Sequence, residues 1–230
     1  ALVLVAGGAI ESEDESGDIV ATNNILIDSG AAITLGGDVT STAGHITIDA
    51  ATSITHEAAA TIETQADAKT IYLQAQAGDI TMAQGAQVVA NNGDIRLVAS
   101  NAIVTEIITT IADVSLNASA GSITDLDDKS LVSASGLNLE AGTSIADALN
   151  DYNTKVTTLS TTSSNGATFI AEVDGVQLTT VDVTAQMVTD TATDLDLVTK
   201  ADLTNTDLSA TNGALVLVAG GAIESEDESG

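Results

Sequence analysis

Residues 94–103 read Asp94-Ile95-Arg96-Leu97-Val98-Ala99-Ser100-Asn101-Ala102-Ile103. Large aliphatic residues stand at alternate positions, Ile95 and Leu97. A small-residue turn follows, and then an isoleucine. A period of two is that of a strand with one buried face. The phrase recurs on both sides: ALVLVAGGAI from Ala1, NILIDSGAAI from Asn24, HITIDAATSI from His45, TIYLQAQAGDI from Thr70, DVSLNASAGSI from Asp113 and GLNLEAGTSI from Gly136. Aligned on the second large residue, the series is Leu4, Ile27, Ile48, Leu73, Leu97, Leu116 and Leu139, then less regularly Ile170, Leu197 and Leu217. Nine steps of 19 to 31 residues fill 213 residues, about 24 each.

Each step closes on a short β-branched piece and a small-residue corner, as in GDIVATN, GDVTSTAG, QVVANNG and SLVSASG. Asn92-Gly93, Ser135-Gly136, Asn165-Gly166 and Asn212-Gly213 end such corners. These pairs predict positive φ at the glycines. Three short strands and three corners per step predict an all-β fold, a right-handed parallel β-helix (β-solenoid) of about nine coils. Leu4, Ile27, Ile48, Leu73 and Leu97 then share one inward row.

The composition agrees. Proline and cysteine are absent, and the aromatics are Tyr72, Tyr152 and Phe169 alone. A narrow coil interior takes Ala, Val, Ile and Leu, and proline would interrupt the ladder at every level. Without cysteine there is neither a disulfide framework nor a thiolate zinc site. Thr, Val, Ile and Gly oppose a helical solenoid. The Leu/Asn signature of leucine-rich repeats and the calcium-binding G-G-x-G-x-D nonapeptide are both missing.

A second repeat is perfect. Residues 1–17 (ALVLVAGGAIESEDESG) and 214–230 are identical. The organisation expected is one solenoid unit, 1–213, with 214–230 beginning the next in a tandem array. A single unit followed by a duplicated cap is the alternative.

The phrases Gly93-Asp94-Ile95-Arg96-Leu97-Val98-Ala99 and Gly78-Asp79-Ile80-Thr81-Met82 resemble those of filamentous-haemagglutinin-type exoproteins and giant tandem-repeat bacterial adhesins. The likeness spans about residues 1–145 well and 146–212 weakly. It implies a secreted, surface-attached β-helix shaft, extracellular and bacterial. The secretion domain of that family is not among these residues, and no signal peptide or membrane-length apolar run is expected.

One 213-residue period carries 29 acidic and 5 basic residues, net −24. Nucleic acid is therefore not an expected partner. Expected partners are further copies of the repeat, stacked end to end, and divalent cations. The densest acidic stretch, Glu11-Ser12-Glu13-Asp14-Glu15-Ser16-Gly17-Asp18, sits at a corner. Glu11, Glu13, Asp14, Glu15 and Asp18 could ligate Ca²⁺ through oxygen, although the spacing is not that of an EF-hand; the alternative is a solvated corner. Asp125-Leu126-Asp127-Asp128 is a second acidic corner.

Residues 146–165 form the longest step, with Asp147 to Lys155 expected to leave the coil as a loop or single helical turn. Tyr152 is the aromatic expected to be exposed there, either on a plain connecting loop or on a protrusion that could contact glycan or a neighbouring cell. Thr179 to Thr193 is long and irregular. His45 is expected to point outward and His56 to lie in a polar turn, with no second His nearby for a zinc or triad site. Asp194 and Asp196 could share one side of a strand, yet the basic and aromatic residues of a sugar-cleaving cleft are missing. The expectation is a non-enzymatic extracellular filament or adhesin stalk, with a glycan- or cell-binding module as the alternative. No cofactor is expected other than Ca²⁺.

Overall fold

The computed structural model describes residues 1–13, 17–191, 194–201, 209–210, 215–219 and 221–225. No helix occurs among them. The chain is a parallel β-solenoid of about 8 turns, each of about 23 residues. Each turn contributes a strand to three faces.

The first face stacks Leu2–Ala6, Ile25–Ser29, Ile46–Ala50, Ile71–Ala75, Ile95–Ala99 and Asp113–Ala118 in parallel. Its inward row runs Leu4, Ile27, Ile48, Leu73, Leu97, Leu116, Leu139, each opposite the next in register. The aliphatic row expected from the alternation is therefore present. Alternate side chains of a strand point to opposite sides, so Ile25 and Ile27 enter the core while Leu26 points out. The second face carries the isoleucine that resumes each phrase: Ile10, Ile33, Ile54, Ile80, Ile103 and Ile123. The third carries Ile19, Val39, Ile62, Val88, Ile108 and Val132. Together the three rows make one continuous aliphatic core. An aliphatic side chain buried completely from water contributes about 1.5–3 kcal/mol.

Beyond Leu139 the expected series departs from the structure. Thr161, not Ile170, is the next residue of that row. Ile170 stands instead between Tyr152 and Leu217, and Leu197 faces Val188 in an antiparallel hairpin. The reason is chemical. The last inward positions are occupied by Thr154, Thr161 and Thr168, all fully buried. Threonine fills the space of valine, so the pleat continues while the aliphatic signal stops. Two of the hydroxyls are paired: Thr154 donates to Glu172 Oε2 at 2.6 Å, and Thr168 to Ser163 Oγ at 3.1 Å.

The corner glycines also differ from expectation. Among the described glycines only Gly85 has positive φ, at 80°. Gly93 is needed for another reason: a Cβ there would collide with the backbone of Lys69 one turn away. Corners of adjacent turns stack so closely that a side chain has no room. Gly213 lies outside the described residues.

Candidate functional site

The sequence marks two acidic corners, the 146–165 step and two histidines, and leaves one further feature unmarked. The acidic corner follows Ile10–Ser12 on the first turn. Glu11, Glu13 and Asp18 are exposed there, and Asp14 and Glu15 lie outside the described residues. Asp18 accepts the Asp38 backbone N–H at 3.0 Å, and Asp38 accepts that of Thr61 at 2.7 Å. This carboxylate row caps strand starts on successive turns. Among the described residues no three potential ligands converge to hold a metal ion.

At the second corner Asp125 is buried, where it receives hydrogen bonds from Asn150 and Asn153. The Asn150 side chain donates at 2.6 Å, and Asn153 donates from both backbone and side chain at 3.0 and 2.9 Å. Burial raises its pKa, and these donors oppose the rise.

The excursion expected over 146–165 is much shorter than the sequence suggested. Tyr152–Ser163 is a strand within the solenoid. Only the residues between Ile145 and Tyr152 bulge outward, in a turn where Asp147 Oδ1 accepts the Leu149 and Asn150 N–H groups. Leu149 is 97% exposed at its tip. Tyr152, expected outside, is instead the largest fully buried side chain, and its hydroxyl meets Thr105 Oγ1 at 2.8 Å. The strand begins at Tyr152, within the stretch expected to leave the coil, and in register with Ile170 the ring enters the core. Burial pushes its phenol pKa up.

The histidines are buried as well. His56 is not in a polar turn; it lies in a second-face inward row, in register with Leu35 and Met82. Neither ring nitrogen has a hydrogen-bond partner. Burial lowers its pKa from 6.5 to about 4. His45 does precede an inward isoleucine, as expected, but it is covered. Its Nδ1 accepts the Thr70 N–H at 3.1 Å and lies 2.9 Å from the Thr70 hydroxyl. Burial first, and then the charge of Lys69, lower its pKa to about 4.

What covers His45 is the feature the sequence hid. From Leu178 on the first face, the chain leaves the turns and runs back along the solenoid axis. Thr184–Thr191 and Asp194–Ala201 pair as an antiparallel hairpin. The first of these strands lies across the outward side of the first face. Thr184 N–H donates to Asp94 Oδ2 at 3.0 Å, Gln186 N–H to Thr70 Oγ1 at 2.8 Å and Val188 N–H to Thr47 Oγ1 at 2.7 Å. Three successive turns are thus fastened by alternate backbone donors of one strand. Val183, Ala185 and Val188 of this strap are fully buried, as are, beneath it, the outward Thr47 and, to 3% exposure, Leu26 and Tyr72. The chain rejoins the first face at Ser209–Ala210, beside Thr162 and Ser163. The alternation Val181, Val183, Ala185 was the available signal. It was obscured because Thr179 to Thr193 sits outside the step template.

Asp194 and Asp196 fall on the outer strand of this hairpin, opposite Thr191 and Thr189. Comparison with known proteins adds nothing to this geometry: no family model, no curated protein and no solved structure matches the chain. Of what the resemblance to filamentous-haemagglutinin-type exoproteins implies, the structure shows the parallel β-solenoid alone.

Proposed function

We propose that the chain is a length of extracellular filament or adhesin stalk, built from tandem copies of an acidic β-solenoid unit and acting mechanically rather than as a catalyst. The observation that carries this reading is the pairing of unbroken inward rows with a perfect recurrence of residues 1–17 at 214–230. Every turn buries the edge of its neighbour, so stacking sets no length limit. The strap adds fastening across the turns, which resists peeling of one from the next. A net charge of −24 per unit keeps an aliphatic, strand-rich surface from pairing with its neighbours at low salt, and divalent cations would bridge such fibres. The same surface shaft would sit outside a bacterial cell, in the manner of the exoproteins it resembles.

Electron microscopy of the native material tests this. Turns spaced about 4.8 Å apart give an axial repeat of roughly 40 Å per unit. Particles the size of one unit, with no fibre at any salt concentration, would defeat the proposal.

A second reading rests on Leu149, an almost fully exposed aliphatic side chain on the only bulge of that step. A glycan- or cell-binding module would use this turn. Glycan-array binding that disappears with Leu149→Ser supports it; unchanged binding removes it.

A further inference from the structure

Threonine is scattered along the sequence, and the fold gathers it onto one face. Each strand of the second face is three residues long, and its middle side chain points outward. After Glu11 on the first turn, these side chains are Thr34, Thr55, Thr81, Val104 and Thr124, each in register with the next. The residues leading into the same strands make a second column, Ala32, Ser53, Asp79, Ala102 and Ser122. The carbonyl of each accepts an isoleucine N–H from the turn before. Every residue of both columns is partly exposed.

The two columns carry one charge, that of Asp79, whose Oδ1 accepts the Ala102 N–H at 2.9 Å. The other faces differ. The outward side of the first face carries Asp28, Asp49, Arg96 and Glu140, and the strap crosses it. The outward side of the third carries Glu63 and Lys155. In a chain of 33 acidic and 5 basic residues, the second face is the strip on which another acidic surface meets least repulsion.

From this we infer that two copies of the chain pair laterally, second face against second face. A surface that matches this ladder must repeat at about 4.8 Å, the spacing of parallel strands, and another copy of the solenoid does so at every turn. The ridge of β-branched Thr and Val, stiff at χ1, fits the trough that Ala and Ser leave in the other copy. Six strands of three residues present a strip of roughly 24 Å by 10 Å. That is roughly 240 Å² per partner, well below the about 800 Å² of a stable complex. One chain therefore pairs weakly and reversibly. Stable bundling needs several units side by side, and that step rests on the tandem-array reading proposed above; the pairing face itself does not.

Salt controls the approach. Facing sheets stand about 10 Å apart. The Debye length is about 10 Å at 0.1 M salt and about 3 Å at 1 M. Carboxylates flanking the strip thus oppose pairing at the lower concentration and are screened at the higher.

Light scattering from the 230-residue chain in NaCl, with a chelator present, screens charge without bridging carboxylates. The weight-average mass should rise with protein concentration at 1 M NaCl and stay that of a monomer at 0.1 M. Thr81→Glu puts a charge in the middle of the ridge. Thr109→Glu puts the same charge on the third face, where Thr109 is exposed and in register with Val89 and Ser133. The rise should disappear in the first variant and persist in the second. Thr55→Glu repeats the measurement one turn away if Thr81→Glu loses its cooperative melting. A constant wild-type mass at both salt concentrations overturns the pairing. So does a rise that survives Thr81→Glu, which marks end-to-end joining, or one lost equally in both variants, which marks net charge. Imaging judges the array separately. Fibres with a roughly 40 Å repeat, from a chain that does not pair, keep the array and reject the face; a chain that pairs, with no fibre in the native material, does the reverse.

Discussion

Replacing His56 with leucine should stabilise the protein, and by more at pH 5 than at pH 8. His56 is fully buried between Leu35 and Met82 with no partner for either ring nitrogen. Its pKa falls from 6.5 to about 4 on folding because the cation cannot be solvated. The folded state therefore binds fewer protons than the unfolded chain. The stability associated with the neutral ring is complete above the unfolded pKa near 6.5 and is lost as pH falls toward 4. At pH 5 the loss from this residue is about 2 kcal/mol, reaching about 3 kcal/mol at the folded pKa. Leucine restores apolar contact in a row that already holds Leu35 and Met82, and it does not titrate. Urea midpoints at pH 8 and pH 5, for the wild type and His56→Leu, measure the effect. The difference between the two proteins should widen by about 2 kcal/mol on acidification. Parallel losses in the two proteins would mean that His56 is solvated or paired, and the inward placement of the second-face row would then be wrong at that turn.

Leu97→Ala removes a fully buried side chain from the middle of the first-face row and should cost about 2–5 kcal/mol, whereas Val20→Thr, at a 60% exposed position, should stay within about 0.5 kcal/mol; chemical denaturation compares them. Thr70→Val takes the acceptor from the Gln186 N–H and the hydroxyl from beside His45 Nδ1, so amide exchange at Gln186 and Val188 should accelerate at a cost of about 1–3 kcal/mol, with the inward rows still protected. Tyr152→Phe leaves Thr105 Oγ1 without its partner and should lower stability by about 1 kcal/mol; an unchanged midpoint would place the ring outside, as the sequence alone suggested. Calorimetric titration with Ca²⁺ separates a ligand loop from a solvated corner: stoichiometric heat that disappears in Glu13→Gln marks the former, and absence of heat the latter.

Legibility followed the chemistry of the inward positions. From Leu4 to Leu139 every residue of the central first-face row is Leu or Ile, and both the row and its register are read directly from the sequence. Past that point Thr161 continues this row, and Thr168 and Thr154 take the inward slots of the second and third faces. A threonine in sequence reads equally as surface, so the pattern alone misaligns the last turns and points Tyr152 outward. His45 and the outward Tyr72 could not be recognised as buried, because their cover comes from residues more than a hundred positions later.

Sequence by itself determined the architecture: alternation at period two, repeated about every 23 residues without proline, admits one way of burying so many aliphatic side chains. It also determined the recurrence of a 17-residue stretch, since identity over residues 1–17 and 214–230 needs no structure to see. Only the tertiary structure decided where the hairpin lies and that Thr161, not Ile170, continues the first-face row. Both depend on how many residues each turn spends at its corners. Corner length is not encoded by any single residue type; it emerges when one turn's backbone must close over the next.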